Sequence, residues 1–352
     1  MASVPVETVR KEADPRAVAR SDAAEALRVL VVTNMWPKAD RPSYGSFVAA
    51  EVKALGEAGV GVQVHVIAGD TNPLTYATDI AAIRRLVRSG RFDIVHAHYG
   101  LAGWTACWQP LPLVVSFCGT DLMGGRGERG ARAQVARLAT RMSWVAARRA
   151  RGIICKSEAL RATLPRAQDR NRAVVLANGV DLTLFAPGDR DAARRRLGWA
   201  QDELVVLFPY DPARLVKRYT LAAAAVEEAR RQVPGARLLT VANVPQRQMP
   251  DFYQAADCLL VTSRYEGSPN TVKEALACGL PVVSVDVGDT RPWLERVPGC
   301  VLAEPDAARL GAAVGEVLRR RERLDTSAIL AELDQRGAVA RLIDCYRAVL
   351  AR

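Results

Sequence analysis

The sequence is short of the residues that build metal sites, disulfide frameworks and membrane spans. It has only three histidines, and its seven cysteines are scattered without a Cys-x-x-Cys pair. No stretch approaches 18 uninterrupted apolar residues, and residues 1–25 are polar and carry charges of both signs. We therefore expect reduced thiols, no structural zinc, no transmembrane helix and a flexible leader over residues 1–25 in a cytoplasmic protein.

The composition is otherwise that of a globular protein with an excess of positive charge. The 352 residues are 49% hydrophobic and 25% charged, which suits two folded domains and excludes a wholly disordered chain. The net charge is +11, and residues 121–172 alone carry 13 Lys and Arg against four Asp and Glu. This surplus favours an anionic partner such as phosphate or an acidic lipid surface, although a solvated Arg-rich helix would also explain it.

Apolar runs alternate with helical patterns along the whole chain. Short runs such as Leu27–Thr33, Leu113–Phe117 and Leu204–Phe208 predict buried parallel strands. Stretches such as Ser46–Ala58 and Ala131–Ala150 have apolar residues at helical spacing and predict helices between those strands. Repeated strand–helix units of this length are typical of parallel sheets that are covered on both faces.

A segment rich in proline, glycine and charge, Ala186–Ala192, interrupts this alternation before it starts again. We therefore predict an α/β fold with two doubly wound parallel sheets in tandem, whose ligand sites face one cleft. The predicted domains are residues 26–185 and 186–332. A C-terminal helix in residues 333–352 is predicted to cross back to the first domain.

The most informative segment is Tyr265–Asp289, in which a Gly-Ser-Pro-Asn turn leads into a helix. The free backbone N–H groups at the start of that helix form a site for an anion. Glu266 lies on the loop and Glu274 lies eight residues later inside the helix, so both can face the cleft. Carboxylates placed there can bind paired sugar hydroxyls, but two solvated acids on a capped helix would explain the pattern equally well.

This segment, YEGSPNTVKEALACGLPVVSVDVGD, resembles the E-x7-E signature of the retaining GT-B glycosyltransferases of family 4. Other segments resemble that family in the same order, among them the glycine loop in WPKADRPSYGSFVAAEVKALGEAG, the ANGVDLTLFAP segment and FPYDPARLVKRYTLA. The resemblance spans about residues 27–350. It implies the GT-B fold, with two Rossmann-like domains, and transfer of a sugar from a nucleotide-sugar to an acceptor hydroxyl with the anomeric configuration retained.

The resemblance also implies roles in the donor site. Glu274 is expected to bind the ribose hydroxyls, and Glu266 is expected to contact the donor sugar. Arg214 and Lys217 are expected to neutralise the diphosphate leaving group. Arg218 is an alternative to Lys217, because the Arg-x-x-Lys spacing is shorter than is usual in the family.

Backbone groups complete the expected donor site. Gly45 should let the first domain approach the β-phosphate closely. The sugar and diphosphate should be held by the backbone of Gly267, Ser268, Pro269, Asn270 and Thr271. No metal or cofactor is expected, because fixed cations can stabilise the charge that develops on the leaving group.

The first domain departs from the family pattern near the sugar. Where the family often has a histidine, this chain has Cys118, while Asp121 remains available to bind donor or acceptor and is assigned to the catalytic set. His96 and His98 occupy alternate positions after a predicted strand and therefore face the same way. We assign His96, His98 and Cys118 to the acceptor side, and a structural role for the histidines is equally open.

Residues 126–151 contain eight arginines together with an apolar stripe of Val135, Leu138, Met142 and Val145. We predict that this stripe packs into the first domain and that the arginines face solvent. The alternative is that the arginines lie on an anionic membrane, which would make the protein peripheral to the inner membrane face.

Several functions are consistent with these patterns. The favoured one is a retaining glycosyltransferase whose acceptor is a glycan, a lipid-linked compound or a small metabolite. A sugar phosphorylase of the same fold is a second, and a non-catalytic nucleotide-sugar-binding protein is a third, since the family histidine is replaced. Nucleic-acid binding is not expected, because it would leave Glu266, Glu274 and the two-sheet layout unexplained.

Overall fold

The computed structural model describes residues 27–69, 71–124 and 130–352. The predicted leader at residues 1–25 lies outside the described residues, as do Arg126 and Arg129 of the Arg-rich segment. Among the described helices, none is both long enough and apolar enough to cross a membrane.

The first unit is a six-stranded parallel sheet with helices on both faces. Its strands lie in the order β2-β1-β3-β4-β5-β6. The strands are β1 (Arg28–Thr33), β2 (Gly61–Val66), β3 (Ile94–His98), β4 (Leu113–Phe117), β5 (Gly152–Cys155) and β6 (Ala173–Val175). The helices are α1 (Ser46–Glu57), α2 (Thr75–Arg88), α3 (Gly100–Ala106), α4 (Thr120–Met123), α5 (Gly130–Arg149), α6 (Glu158–Ala162) and α7 (Ala167–Arg172).

The second unit is a five-stranded parallel sheet in the order β11-β10-β9-β7-β8. Its strands are β7 (Leu204–Phe208), β8 (Ala236–Thr240), β9 (Cys258–Val261), β10 (Val282–Ser284) and β11 (Val301–Leu302). The helices are α8 (Arg190–Leu197), α9 (Tyr219–Arg230), α10 (Met249–Ala255), α11 (Asn270–Ala277), α12 (Thr290–Leu294), α13 (Ala307–Arg320) and α14 (Ser327–Leu333). The last helix, α15 (Gln335–Leu350), packs against the first unit. Short 3₁₀ turns occupy Leu215–Lys217 and Gln246–Gln248.

The predicted pair of doubly wound parallel sheets is confirmed. Central strands such as β4 and β7 are buried along their whole length, because helices cover both faces of each sheet. Burial on both faces is what makes their sequences continuous apolar runs. The carboxyl ends of the strands lead into the loops that carry most of the candidate site residues.

The chain passes between the two units at two adjacent places. The first is the crossing segment, residues 178–186, and the second is the start of α15. The amide of Val180 donates to the carbonyl of Leu333 at 2.7 Å, and the amide of Gln335 donates to the carbonyl of Val180 at 2.9 Å. From there α15 packs Leu342 and Tyr346 into the core of the first unit.

The predicted break at Ala186–Ala192 is shorter than expected, since α8 begins at Arg190. The side chain of Asp189 accepts hydrogen bonds from the amides of Asp191 and Ala192, so a charged residue of the break caps the helix.

The prediction that the apolar stripe of α5 is buried is wrong for half of its members. Val135 is 68% exposed and Leu138 is 58% exposed, whereas Met142 and Val145 are partly buried. The second half of α5 packs against α3, where Ala146 and Ala147 are buried. The first half therefore presents apolar side chains to solvent.

Candidate active site

A cleft of about 300 Å³ lies between the two units. Residues of α1, of the crossing segment, of the 3₁₀ turn before α10 and of α11 line it. Among them are Ser46, Phe47, Asp181, Gln246, Asn270 and Glu274. The cleft thus brings the glycine loop of the first domain opposite the second glutamate of the E-x7-E segment.

Glu274 is a buried carboxylate on the wall of this cleft. The hydroxyl of Tyr253 donates to its Oε2 at 2.8 Å, and Nε2 of Gln246 donates to its Oε1 at 3.2 Å. Burial raises the pKa of Glu274, and the two hydrogen bonds oppose that rise. These two hydrogen bonds fix the orientation of the carboxylate. Because a carboxylate has about four acceptor positions, two remain for further hydroxyls.

Glu266 and Lys217 form an ion pair beside the start of α11. The ammonium of Lys217 lies 3.9 Å from the centre of the Tyr210 ring, and the Tyr210 hydroxyl lies 2.6 Å from Oγ1 of Thr271. Burial lowers the pKa of Lys217, while the negative charge of Glu266 opposes that effect. The predicted sugar-side acid and phosphate-side cation therefore lie next to each other.

The two arginines that flank Lys217 differ in their surroundings. Arg218 has a left-handed backbone (φ 53°), and its guanidinium donates to the carbonyls of Thr262 and Ser263. Arg214 is exposed, and within the described part of the chain no hydrogen bond or ion pair of its side chain is found. The geometry favours Lys217 over Arg218 as the cation of the site, because the guanidinium of Arg218 holds the end of β9.

The loop before α11 touches the first domain through glycine. A methyl group on Gly267 would lie 2.1 Å from the carbonyl oxygen of Cys118. One on Gly119, whose φ is 141°, would lie 3.0 Å from the amide nitrogen of Gly267. These two loops meet backbone to backbone, so neither glycine tolerates a side chain.

Gly45 also has a reason to be glycine that involves no ligand. It precedes α1 with φ 73°, and a methyl group there would lie 2.3 Å from the carbonyl carbon of Met35. A phosphate contact at Gly45 remains a prediction.

Two side chains from outside the expected donor loop hold its remaining residues. Pro269 precedes α11, and Oδ1 of Asn270 accepts a hydrogen bond at 3.3 Å from Nδ2 of Asn178 in the crossing segment. The hydroxyl of Ser268 donates to Oδ2 of Asp289 at 2.7 Å. The loop is thereby fixed by residues that the sequence analysis did not single out.

Asp121 organises the loop after β4. Its carboxylate accepts hydrogen bonds from the amides of Gly119 at 2.7 Å, Cys118 at 3.0 Å and Gly100 at 3.0 Å. Burial raises the pKa of Asp121, and these amide bonds oppose the rise. Since backbone donors occupy its oxygens, the geometry argues against the predicted catalytic role and supports a positioning one.

Cys118 is a neutral thiol in this setting. Burial raises the pKa of Cys118, and the nearby carboxylate of Asp121 raises it further. It does not supply the thiolate that nucleophilic catalysis would need.

His96 and His98 do not line the cleft, which argues against the acceptor-side role expected for them. Both are fully buried, because β3 is a central strand covered by α1 and α15. The ring nitrogens of His96 lie 2.7 Å from the hydroxyl of Tyr346 and 2.8 Å from Oγ of Ser116. Nε2 of His98 lies 3.1 Å from Oε1 of Glu51.

Glu51, His96 and His98 place possible ligand atoms within 4.8 Å of one another, the spacing of a metal site, among the described residues. The ammonium of Lys156, however, lies 3.7 Å from Oε2 of Glu51. Burial tends to raise the pKa of Glu51, but His98 and Lys156 together lower it below its ordinary value. A metal ion between these residues would be repelled by the Lys156 ammonium, so we interpret the group as a buried cluster of ion pairs. The sequence spacing of Glu51 does not indicate that it lies beside the two histidines.

Comparison with known proteins identifies the family. The model described as Glycosyltransferase Family 4 matches residues 16–184, and the one described as Glycosyl transferases group 1 matches residues 213–320. D-inositol 3-phosphate glycosyltransferase 1 of Catenulispora acidiphila is 30% identical over 309 residues, covering 74% of this chain and 73% of the relative. The chain belongs to glycosyltransferase family 4. The resemblance inferred from the E-x7-E segment is therefore confirmed.

A second relative and a solved structure are also similar to this chain. D-inositol 3-phosphate glycosyltransferase of Geodermatophilus obscurus is 32% identical over 289 residues, which cover 68% of this chain and 62% of the relative. Sucrose-phosphate synthase from Thermosynechococcus elongatus superimposes with a TM-score of 0.73 at 18% identity over 93% of this chain and 99% of that one. At that identity the likeness shows the fold alone, and it confirms the predicted GT-B fold of this glycosyltransferase.

Proposed function

We propose that this chain transfers a sugar from a nucleotide-sugar to an acceptor hydroxyl and retains the anomeric configuration. The observation that carries the proposal is Glu274, a buried carboxylate that Tyr253 and Gln246 hold in a fixed orientation on the cleft wall. A buried acid braced from both sides suits the paired hydroxyls of a ribose.

The diphosphate of the donor would lie between Glu274 and the first domain, at the start of α11. That helix begins at Asn270 with no side chain capping its amides, which leaves N–H groups to bind an anion. Lys217 supplies a buried positive charge beside it, and Arg214 an exposed one. Glu266, already paired with Lys217, would face the donor sugar.

Catalysis would then rest on leaving-group stabilisation. The bond between the anomeric carbon and the phosphate oxygen breaks, and the acceptor oxygen bonds to the same face of that carbon. The acceptor proton passes to the departing phosphate oxygen. Lys217 stabilises the charge that grows on this oxygen, and this charge is larger in the transition state than in the bound donor.

We further propose a small phosphorylated polyol as the acceptor. This rests on the relatives, which are named for transfer to D-inositol 3-phosphate. The net charge of +11 favours an acceptor that carries phosphate, but it does not identify the polyol.

Peripheral association with an anionic membrane is a separate proposal, favoured by the exposed half of α5. Val135 and Leu138 are exposed there beside Arg132, Arg137 and Arg141, and the helix contains no acidic residue. Apolar side chains flanked by several arginines match the chemistry of an acidic lipid surface.

A donor screen tests the transferase proposal against its alternatives. UDP-, GDP- and ADP-sugars are incubated with the full chain, with and without inositol phosphate, and the released nucleoside diphosphate is measured. A transferase releases the nucleotide and forms a glycosylated acceptor. A non-catalytic binder would show a higher melting temperature with nucleotide but release none. A phosphorylase would instead form sugar 1-phosphate when an oligosaccharide and inorganic phosphate are supplied in a separate incubation.

A further inference from the structure

Lys273 is a buried lysine that has no part in the proposed donor chemistry. It lies inside α11, one residue before Glu274, and only 1% of it is exposed. Its ammonium donates to the backbone carbonyl of Asn178 at 2.6 Å and to the hydroxyl of Ser268 at 2.9 Å. One side chain therefore joins the crossing segment to the loop that precedes α11.

The hydrogen bonds continue beyond Ser268. Its hydroxyl accepts from Lys273 and donates to Oδ2 of Asp289, and the same oxygen accepts from Nε1 of Trp293 at 3.2 Å. Gly288, one residue before Asp289, lies against the loop, since a methyl group on it would be 3.1 Å from the carbonyl oxygen of Gly267. The segment after β10 therefore packs against the loop that precedes α11 and supports it.

The position of this loop decides how the two domains meet. Gly267 is adjacent to Ser268 and touches Cys118 and Gly119 of the first domain. A shift of Ser268 would therefore move both the loop that faces the donor sugar and its contact with the loop after β4. Lys273 controls that position from the side of the crossing segment.

An apolar side chain in this place would be less expensive to bury. Transfer of an ammonium from water is costly unless it is paired and fully hydrogen-bonded. Burial lowers the pKa of Lys273 to about 8; Asp289 opposes this effect, Lys156 adds to it, and Glu274 also opposes it. Burial of the Lys273 ammonium is therefore costly in free energy. This favours a role for Lys273 in the geometry of the site over a role in stability.

We propose that Lys273 is a positioning residue that fixes the donor-sugar loop, residues 266–271, to the crossing segment at Asn178. This proposal rests on the proposed transferase function. Lys273 does not touch the substrate; it holds the backbone that does. Its loss should therefore leave nucleotide binding by Glu274 intact and reduce the rate of transfer.

Lys273→Met tests the proposal, because methionine keeps an unbranched apolar side chain as far as Cε and removes the ammonium donor. We expect kcat to fall about 10- to 100-fold, since a displacement near 1 Å can cost about 100-fold. The KM for the donor and the Kd for its nucleoside diphosphate should change less than about threefold. Ser268→Ala, which removes one partner only, should lower kcat by a smaller factor, and the surface variant Arg195→Met on α8 should match the parent.

Two results would overturn the proposal. One is a Lys273→Met variant with kcat within about twofold of the parent, and the other is a nucleotide Kd that weakens as much as kcat falls. If Lys273→Met does not fold, Ser268→Ala must still lower kcat more than it changes KM; a parental kcat in that variant would refute the proposal.

A measurement independent of turnover separates this proposal from the transferase function. Hydrogen–deuterium exchange of residues 266–271 should be faster in Lys273→Met than in the parent, while exchange in α15 should be unchanged. If the parent turns over no donor but the loop still loosens, the transferase function fails and the loop assignment stands. If the loop exchanges at the parental rate, the assignment itself is wrong.

Discussion

At the scale of single residues, the site depends on charges whose partners hold them in place. The donor-site role of Glu274 comes from the resemblance to family 4, because the spacing from Glu266 alone fits two solvated acids on a capped helix equally well. The resemblance implies a catalytic role for Asp121, but the sequence does not show that the amide of Gly100 donates to one of its oxygens. The contacts of Lys273 cannot be predicted from the sequence for the same reason, since its partner Asn178 is 95 residues away.

Removing the carboxylate of Glu274 should weaken nucleotide binding more than it disturbs folding. Hydrogen bonds to a buried charged group contribute roughly 1.5–3 kcal/mol, so Glu274→Ala should raise the Kd for the cognate nucleoside diphosphate by about 10- to 150-fold. Tyr253→Phe, which removes only a brace, should have a smaller effect. Calorimetric titration measures both, with the exposed Glu316→Ala on α13 as control; a parental Kd for Glu274→Ala would refute the ribose role.

Substitutions of the three cationic residues that follow β7 should differ in their effects on kcat. Lys217→Ala and Arg214→Ala should lower kcat by about 10²–10³ with a smaller rise in donor KM, since a cation aimed at the leaving oxygen acts mainly in the transition state. Arg218→Ala should instead lower the melting temperature, because it removes the hydrogen bonds to Thr262 and Ser263. Full kcat in both Lys217→Ala and Arg214→Ala would contradict the leaving-group role.

At the scale of helices and strands, buried parallel strands were the most predictable elements. β4 and β7 occupy the predicted residues, because burial on both faces leaves continuous apolar runs in the sequence. Helix α3 was not predicted, since GLAGWTA is rich in glycine. Gly100 and Gly103 are explained only by packing: methyl groups there would lie 2.0 Å from Oγ of Ser143 and 2.9 Å from Cγ1 of Val115.

The exposed half of α5 leads to a prediction about lipid binding. The full chain should bind vesicles that contain phosphatidylserine more strongly than neutral vesicles, and added salt should weaken this binding. Arg132→Glu with Arg137→Glu should reduce it more than about tenfold, since each basic residue near an anionic surface contributes about 1 kcal/mol. Arg195→Glu, at an exposed position on α8, serves as the control. Equal binding of the parent to both kinds of vesicle would refute the membrane proposal.

At the scale of the whole molecule, the two domains are joined by two adjacent crossings and by the contact between Gly119 and Gly267. The crossings are few and short, and relative motion of two such domains is the usual behaviour. The sequence predicted the two domains, but it could not show the contact between the loops, since that depends on how the two sheets face each other.

Domain closure is therefore expected to follow donor binding. The radius of gyration from X-ray scattering should decrease when a nucleotide-sugar saturates the cleft, because the ligand contacts both domains. Glu274→Ala at the same ligand concentration should show little decrease. An unchanged radius in the parent at saturating donor would contradict closure.

The central claim is that the cleft supports transfer with retention, and the configuration of the product tests it most directly. Proton NMR of the reaction with a donor of known anomeric configuration gives the coupling constant of the new anomeric proton. For an α-linked donor, the predicted result is an α-linked product that forms about 10²–10³ times more slowly with Lys217→Ala. Two results would contradict the account. One is a β-linked product, and the other is no glycosylated product from any donor and acceptor pair at saturating donor.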